Sequence, residues 1–262
     1  MMSAGFAYPQ VKLNGEYFDG CLGVYPFVER VAAKRSSRNR PVGTFETKAV
    51  NVSAQVYFEA MASKGGIMEQ IQEKCRGLDV NEIVIQIDSA PPHLGGDNIN
   101  KLNRLGATMD IPLKFKLQPT KSPESNLLDL SIWYSLNKQA EHLIGENRSI
   151  NDIITNVTNA YNDYSTDKLL RIYSLYYVAM REILKALGGN EFTIPHTGIR
   201  KLQHASDGLA TTEERFLDAK IYEGAVSALA EMKQQMSENN PIIYFMIFAT
   251  NFITYFFCKH VT

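Results

Sequence analysis

The run Ile83-Val84-Ile85-Gln86-Ile87-Asp88 constrains the fold of this chain more than any other stretch. Its β-branched residues predict a buried strand, and Pro91-Pro92 stops it shortly beyond. Such a strand delivers one carboxylate, Asp88, to its C-terminal edge, where open α/β sheets place their chemistry. A second stretch, Gln118 to Leu130, sets Ser122-Pro123-Glu124 ahead of an apolar-periodic run and predicts Glu124 in the first turn of a helix. Asp88 and Glu124 are 36 positions apart, each at the end of an element. Two hard oxygen ligands presented in this way suit divalent-metal phosphoryl transfer.

The blocks carrying these acids, IQIDSAPPH (85–93) and LQPTKSPESNLLDL (117–130), resemble the second and third acidic motifs of mariner/Tc1-type DDE transposases. The plant and oomycete mariner-like branch typically reads QQDNAPPH and QPPNSPDLNVLDLGFF there. The resemblance runs from near Met1, through FDGCLGVYPFVERVAAKRSSRNRPVGT (18–44), to GGNEFTIPHTGIRKL, ending at about Leu202. It implies an α/β fold of ribonuclease H-like type, a central mixed sheet flanked by helices. It also implies three acids gathering two Mg²⁺ (or Mn²⁺) ions, which activate a water or a DNA 3′-hydroxyl. Carried over by position, Asp88 is the second acid and Glu124 the third, both catalytic and both metal ligands. Glu at 124 replaces the branch's usual Asp and reaches one methylene further; Ile87 and Ser89 replace Gln and Asn.

The family's first catalytic Asp lies in a block like VHIDEKWF, and nothing similar occurs in residues 1–262. The resemblance therefore implies a fragment that lacks the first central strand, its acid and an upstream helix-turn-helix domain, and that is inactive as written. On this expectation residues 1–145 are a partial catalytic core, 146–204 the helical C-terminal part, 205–240 a helical extension and 241–262 an apolar tail. The resemblance implies DNA (transposon ends) as partner, a homodimer as assembly and the nucleus as location. Two alternatives stand beside it: a nuclease recruiting an acid from elsewhere, and a non-enzymatic DNA-contacting or protein-interaction remnant.

A net charge of −1 does not advertise nucleic-acid binding, so DNA contact has to come from a local patch. One stretch supplies it. Arg30, Lys34, Arg35, Arg38 and Arg40 are interleaved with Ser36, Ser37 and Asn39 and with no acid, which suits phosphate contacts from a flexible loop. A solvated loop is the plain alternative. The match to the family's AKRNSKNRP motif favours DNA. His93 closes the IQIDSAPPH block and either contacts a phosphate or hydrogen-bonds locally. The 3 cysteines, Cys21, Cys75 and Cys258, suit neither a disulfide framework nor a zinc spacing. No secretory signal is expected at the N-terminus. Ile242 to Cys258 is nearly unbroken aromatic and aliphatic sequence at the short limit of a membrane span. It reads as a tail anchor or as sequence foreign to the family, and the second reading, with no membrane association, is preferred.

Patterning predicts two antiparallel strands over Met1–Tyr8 and Val11–Val24, with turns at Asn14-Gly15 and Asp19-Gly20. Asp19 belongs to such a turn. Helical spacing over Val52–Cys75 has Ser53 as N-cap and a break at Gly65-Gly66. A short amphipathic helix over Asn98–Gly106 and a strand over Ile111–Leu117, at a sheet edge because of Pro112, follow. One long helix is expected from Glu124 to His142. On it Trp133 is a core residue rather than a base-stacking platform, and Asp129 sits about 140° around from Glu124. Asp97 lies past the Pro-Pro break. Two helices divided by Ser165-Thr166-Asp167 span Ile150–Leu187, and another amphipathic helix covers Thr212–Glu238. His196, in an IPH motif, has no role to assign.

Overall fold

The computed structural model describes residues 2–187 apart from 39, 120 and 143–148, together with 192, 193 and 227. His196, Cys258, the 212–238 helix and the apolar tail lie outside the described residues. The chain divides into two compact units. One holds Met1–Leu117 with Ile132–Leu169, the other Gln118–Ser131 with Leu170–Thr262.

The first unit opens with β1 (Met2–Phe6), β2 (Gln10–Val11), β3 (Tyr17–Phe18) and β4 (Cys21–Pro26). The strand expected over Val11–Val24 is thus broken into three by its own turn residues. The Asn14 side chain accepts from Glu16 N at 3.0 Å, and Asp19 Oδ1 accepts from Cys21 N at 2.8 Å. Gly20, at φ +85°, leads into β4; a Cβ there would lie 2.3 Å from Ala7 O and 2.7 Å from Leu169 Cδ2. β1 pairs antiparallel with β4, with a register shift between Gly5 and Phe6, and β2 pairs with β3. β5 (Val28–Ala32) and β6 (Phe45–Ala49) form an antiparallel hairpin.

Helices α1 (Ala54–Ala62) and α2 (Ile67–Cys75) come next, separated near Gly65-Gly66 as the pattern predicts. Ser53 caps α1, its side chain accepting from Val56 N. β7 (Ile83–Ile87) leads to the single turn α3 (Pro91–Leu94), then α4 (Asn98–Gly106) and β8 (Leu113–Leu117), which pairs parallel with β7. α4 seats tightly on β8: a Cβ on Gly106 would lie 2.4 Å from Leu113 O. The Asn103 side chain meets both the N–H and the C=O of Phe115, at 2.7 and 3.2 Å, so α4 satisfies backbone groups of β8. Met68, Leu102 and Leu113 are almost completely buried and form the centre of a core with Leu22, Tyr57, Ile71, Cys75 and Phe115.

The class is mixed α/β. Among the described residues the strands pair only two by two, in four separate sheets. The single mixed sheet expected of a ribonuclease H-like core is therefore not what these residues form. β1 has β4 as its one neighbour and β7 has β8, and no described strand joins the two pairs.

Helix α5 (Trp133–His142) and α6 (Ile150–Asn162) complete the first unit. Ser149 and Asp152 form a reciprocal capping box on α6. Tyr161 of α6 locks the register shift of the β1–β4 pair, donating to Gly5 O at 2.5 Å and accepting from Gly23 N at 2.7 Å. α7 (Thr166–Lys185) runs on into the second unit. There Tyr176, Tyr177, Val178 and Met180 pack with Leu127, Leu130, Tyr173 and Ile183.

The long helix expected from Glu124 is corrected. Pro123–Ser125 is a 3₁₀ turn, Asn126 is extended, Leu128–Ile132 is a π-helical turn, and the α-helix begins at Trp133. Asn126 is the cause. Its side-chain oxygen accepts from Leu128 N at 3.0 Å, and its amide donates to Gln118 Oε1 and Asp129 Oδ2 at 2.8 and 3.0 Å. A side chain that binds nearby backbone in this way competes with helix initiation. Asp129, in the π-helical turn, therefore does not share an α-helix with Glu124.

Candidate nucleic-acid interface and the Asp88 edge

Asp88 follows β7 directly, at the C-terminal edge of the parallel pair, as the strand-then-acid pattern predicts. Its surroundings were not legible in the sequence. Oδ1 accepts from Ala90 N at 2.9 Å and faces His93 Nδ1 at 2.6 Å, and the same imidazole nitrogen lies 3.1 Å from Asp88 O. Both partners of Nδ1 are oxygen acceptors, so Nδ1 carries the proton, and in the neutral ring Nε2 holds the lone pair. The His93 side chain is 13% exposed against 51% for Asp88, and its ring packs on Tyr57 with centroids 4.3 Å apart. The His93 hydrogen bond holds the Asp88 carboxyl below its ordinary value; partial burial opposes this and the Ala90 N–H adds to it. Of the two roles considered for His93, the structure displays the local hydrogen bond.

The turn carrying His93 is tied down by Asn98, which is 2% exposed at the start of α4. Its amide donates to Ala54 O at 2.8 Å and to Pro92 O at 3.0 Å, bridging α1 and α3. No pattern in the sequence singles out Asn98 or Tyr57, because their partners are distant in the chain.

Glu124 is half-buried in the 3₁₀ turn and belongs to the second unit, whereas Asp88 belongs to the first. Among the described residues no group of three or more His, Cys, Asp or Glu side chains is placed to hold a metal ion. A two-metal centre needs a carboxylate that bridges both ions. Asp88 Oδ1 already accepts from Ala90 and faces His93, and Asp19 is engaged in its turn. The described residues do not fit a Mg²⁺ pair.

The structure adds to the basic stretch a strand pair that the sequence reading did not expect. Arg30 stands on β5, and Lys34, Arg35, Arg38 and Arg40 lie on the connecting segment of a hairpin arm, β5–β6, so the loop is anchored on a hydrogen-bonded ribbon. Residues 28–49 carry six cations and two acids. Directly opposed residues share a face, so the register sorts them. Arg30 pairs with Thr47 and Ala32 with Phe45, which puts Arg30 and Phe45 on one face. Glu29 pairs with Lys48 and Val31 with Glu46 on the other. Arg30 lies 5.7 Å above the Phe45 ring, a cation–π contact. On the opposite face Glu46 forms an ion pair with Arg40, so the five-cation set loses a member to an acid six residues beyond it. Lys34, Arg35 and Arg38 are exposed on the segment between the strands, and Arg30 is exposed on β5.

Glu46 and Phe45 are thus contacts of the basic stretch that the sequence reading passed over. The Pro41-Val42-Gly43 turn signal between two short β-prone runs would have marked the hairpin and brought them in. Trp133 is half-buried on α5. Among the described residues no helix is long and apolar enough to cross a membrane. In comparisons with known proteins no family model, no curated protein and no solved structure matches this chain.

Proposed function

We propose that this chain is a piece of a mariner/Tc1-like transposase that binds DNA through the β5–β6 arm and, as it stands, does not cleave it. The observation that carries the reading is the arm: five exposed cations, Arg30, Lys34, Arg35, Arg38 and Lys48, on a two-stranded ribbon with no fully buried residue in either strand. Cations arranged so reach phosphates without disturbing a core, and their binding is sequence-independent and salt-dependent. The motif resemblance supplies the class of partner. The state of Asp88 supports the second half of the reading, since one carboxylate hydrogen-bonded to a histidine and a backbone N–H does not organise two metal ions. His93, with Nδ1 committed to Asp88, meets a phosphate only through a protonated Nε2.

Anisotropy titrations of a labelled duplex against salt test the first half. Each of Arg30→Ala, Lys34→Ala, Arg35→Ala and Arg38→Ala is expected to flatten the log–log salt slope by about 0.9. Four unchanged slopes would remove the arm from the interface. A nicking assay on supercoiled plasmid in Mg²⁺ or Mn²⁺ tests the second half, with no cleavage expected. Metal-dependent nicking abolished by both Asp88→Ala and Glu124→Ala would overturn it.

A further inference from the structure

We propose that Ser37, on the segment between β5 and β6, is a phosphorylation site, and that a phosphate there withdraws the arm from DNA. The second half rests on the DNA-binding reading of the arm. Ser37 is exposed among exposed cations, with Lys34 and Arg35 shortly before it and Arg38 directly after. A serine kinase that selects basic residues reads this charge pattern, because cations ahead of the serine meet an acidic substrate groove that would repel an acid. Residues 30–45 contain no acid to oppose that approach.

The arm carries hydroxyl groups at Ser36, Ser37, Thr44 and Thr47. Among the described residues, Ser37 alone offers one that is both exposed and uncommitted. Ser36 Oγ accepts from Val42 N at 3.0 Å, and Thr44 Oγ1 donates to Pro41 O at 2.9 Å. Thr47 is half-buried within β6, directly after Glu46. Ser37 engages only through its backbone, which exchanges bonds of 2.9 and 3.2 Å with Arg40. These bonds and the one from Val42 to Ser36 tie the segment down, and none of its side chains from Lys34 to Arg38 is buried. It can therefore open to an extended form without disturbing a core. In the transfer itself Ser37 Oγ bonds to the γ-phosphorus of ATP as the bond to the β,γ-bridging oxygen breaks; ADP leaves, and the hydroxyl proton passes to the kinase's base.

A phosphoserine carries about −1.5 to −2 charge at neutral pH and strong acceptor oxygens. Lys34, Arg35 and Arg38 are its near neighbours in the chain, and arginine pairs with phosphate through two N–H groups at once. The arm already shows such neutralisation at one position, where Glu46 holds Arg40 in an ion pair. A cation matched by an internal anion no longer displaces a counterion from DNA. The phosphate therefore subtracts its own charge from the set that meets the duplex, and it repels the DNA phosphates as well.

The test treats the full chain with ATP, Mg²⁺ and the purified catalytic subunit of a serine kinase selective for basic residues. Fragmentation mass spectrometry maps the product, and the salt titration on a labelled duplex is repeated with it. Incorporation at Ser37 is expected, lost in Ser37→Ala and in Lys34→Ala/Arg35→Ala, and retained in Ser36→Ala. The phosphorylated chain is expected to show a log–log salt slope flatter by about 1.4–1.8 than the unmodified chain, and phosphatase treatment to restore it. Ser37→Asp, with a single charge, is expected to flatten the slope by about 0.9. Ser37→Ala taken through the same kinase treatment is expected to keep the native slope. No incorporation at Ser37, or incorporation indifferent to Lys34→Ala/Arg35→Ala, overturns the site and leaves the DNA reading intact. Phosphate on Ser37 with an unchanged slope, where alanine variants of the cations still flatten it, overturns the control of binding alone. A slope indifferent to Lys34→Ala/Arg35→Ala/Arg38→Ala in the unmodified chain overturns the DNA reading and the control of binding together.

Discussion

Asn98 holds the Asp88 edge together, and replacing it makes a graded test. In Asn98→Ala the bridge from α4 to Ala54 O and Pro92 O is lost in a site only 2% exposed to water. Two hydrogen bonds are removed and the amide leaves a small void. The carbonyls keep some capacity to find other donors, so the loss is about 1–3 kcal/mol. For a chain of this size that corresponds to a fall in Tm of about 2–10 °C. Asn98→Asp has nearly the same shape but turns a carboxylate oxygen, an acceptor, toward two carbonyl oxygens that had received the amide N–H groups. It either buries a charge without compensation or must bind a proton, at about 3–5 kcal/mol. The expected order of stability is therefore native, then Ala, then Asp, measured by urea unfolding followed by tryptophan fluorescence and circular dichroism. The bridge also sets the turn that aims His93 at Asp88. In Asn98→Ala the Asp88 carboxyl, now held low chiefly by His93, should titrate at higher pH by NMR. An Asp variant as stable as the Ala variant, or an Asp88 titration that does not move, would refute the positioning argument.

Tyr161→Phe keeps the ring on Phe6 (centroids 4.7 Å apart) but orphans Gly5 O and Gly23 N, so a loss of about 1–3 kcal/mol is expected, measured by urea unfolding, and a loss within 0.5 kcal/mol, the range of neutral surface changes, would contradict it. Glu46→Ala releases Arg40 from its ion pair and is expected to steepen the salt slope of DNA binding by about 0.9, whereas Arg40→Ala, whose charge is already matched, leaves it nearly unchanged. Burial pushes the Cys21 and Cys75 thiols from an ordinary 9.0 up to about 11. Because the folded values are the higher ones, this contribution to stability is whole below about pH 9 and is lost as pH rises toward 11. Denaturant midpoints should fall across that window, and less steeply in Cys75→Ala compared with its own value at pH 7.

What the sequence determined by itself is what short-range chemistry decides. Ser53 ahead of an apolar-periodic run starts α1 where it does, because its hydroxyl finds a backbone N–H three residues on. Gly65-Gly66 parts α1 from α2, and Asn98–Gly106 is helical residue for residue. The β-branched run ending in Asp88 is a strand with its acid at the edge. Each of these follows from propensity, capping and periodicity within a few residues. The tertiary structure decided what depends on partners far along the chain. Strand pairing across the 28–49 arm set Arg40 on Glu46 and Arg30 on Phe45, turning a run of charges into two unlike faces. Asn98 reached back 44 residues to Ala54 to fix the turn that brings His93 to Asp88. A linear pattern shows which groups a chain carries; which of them meet is set by the register and packing that only the folded chain possesses.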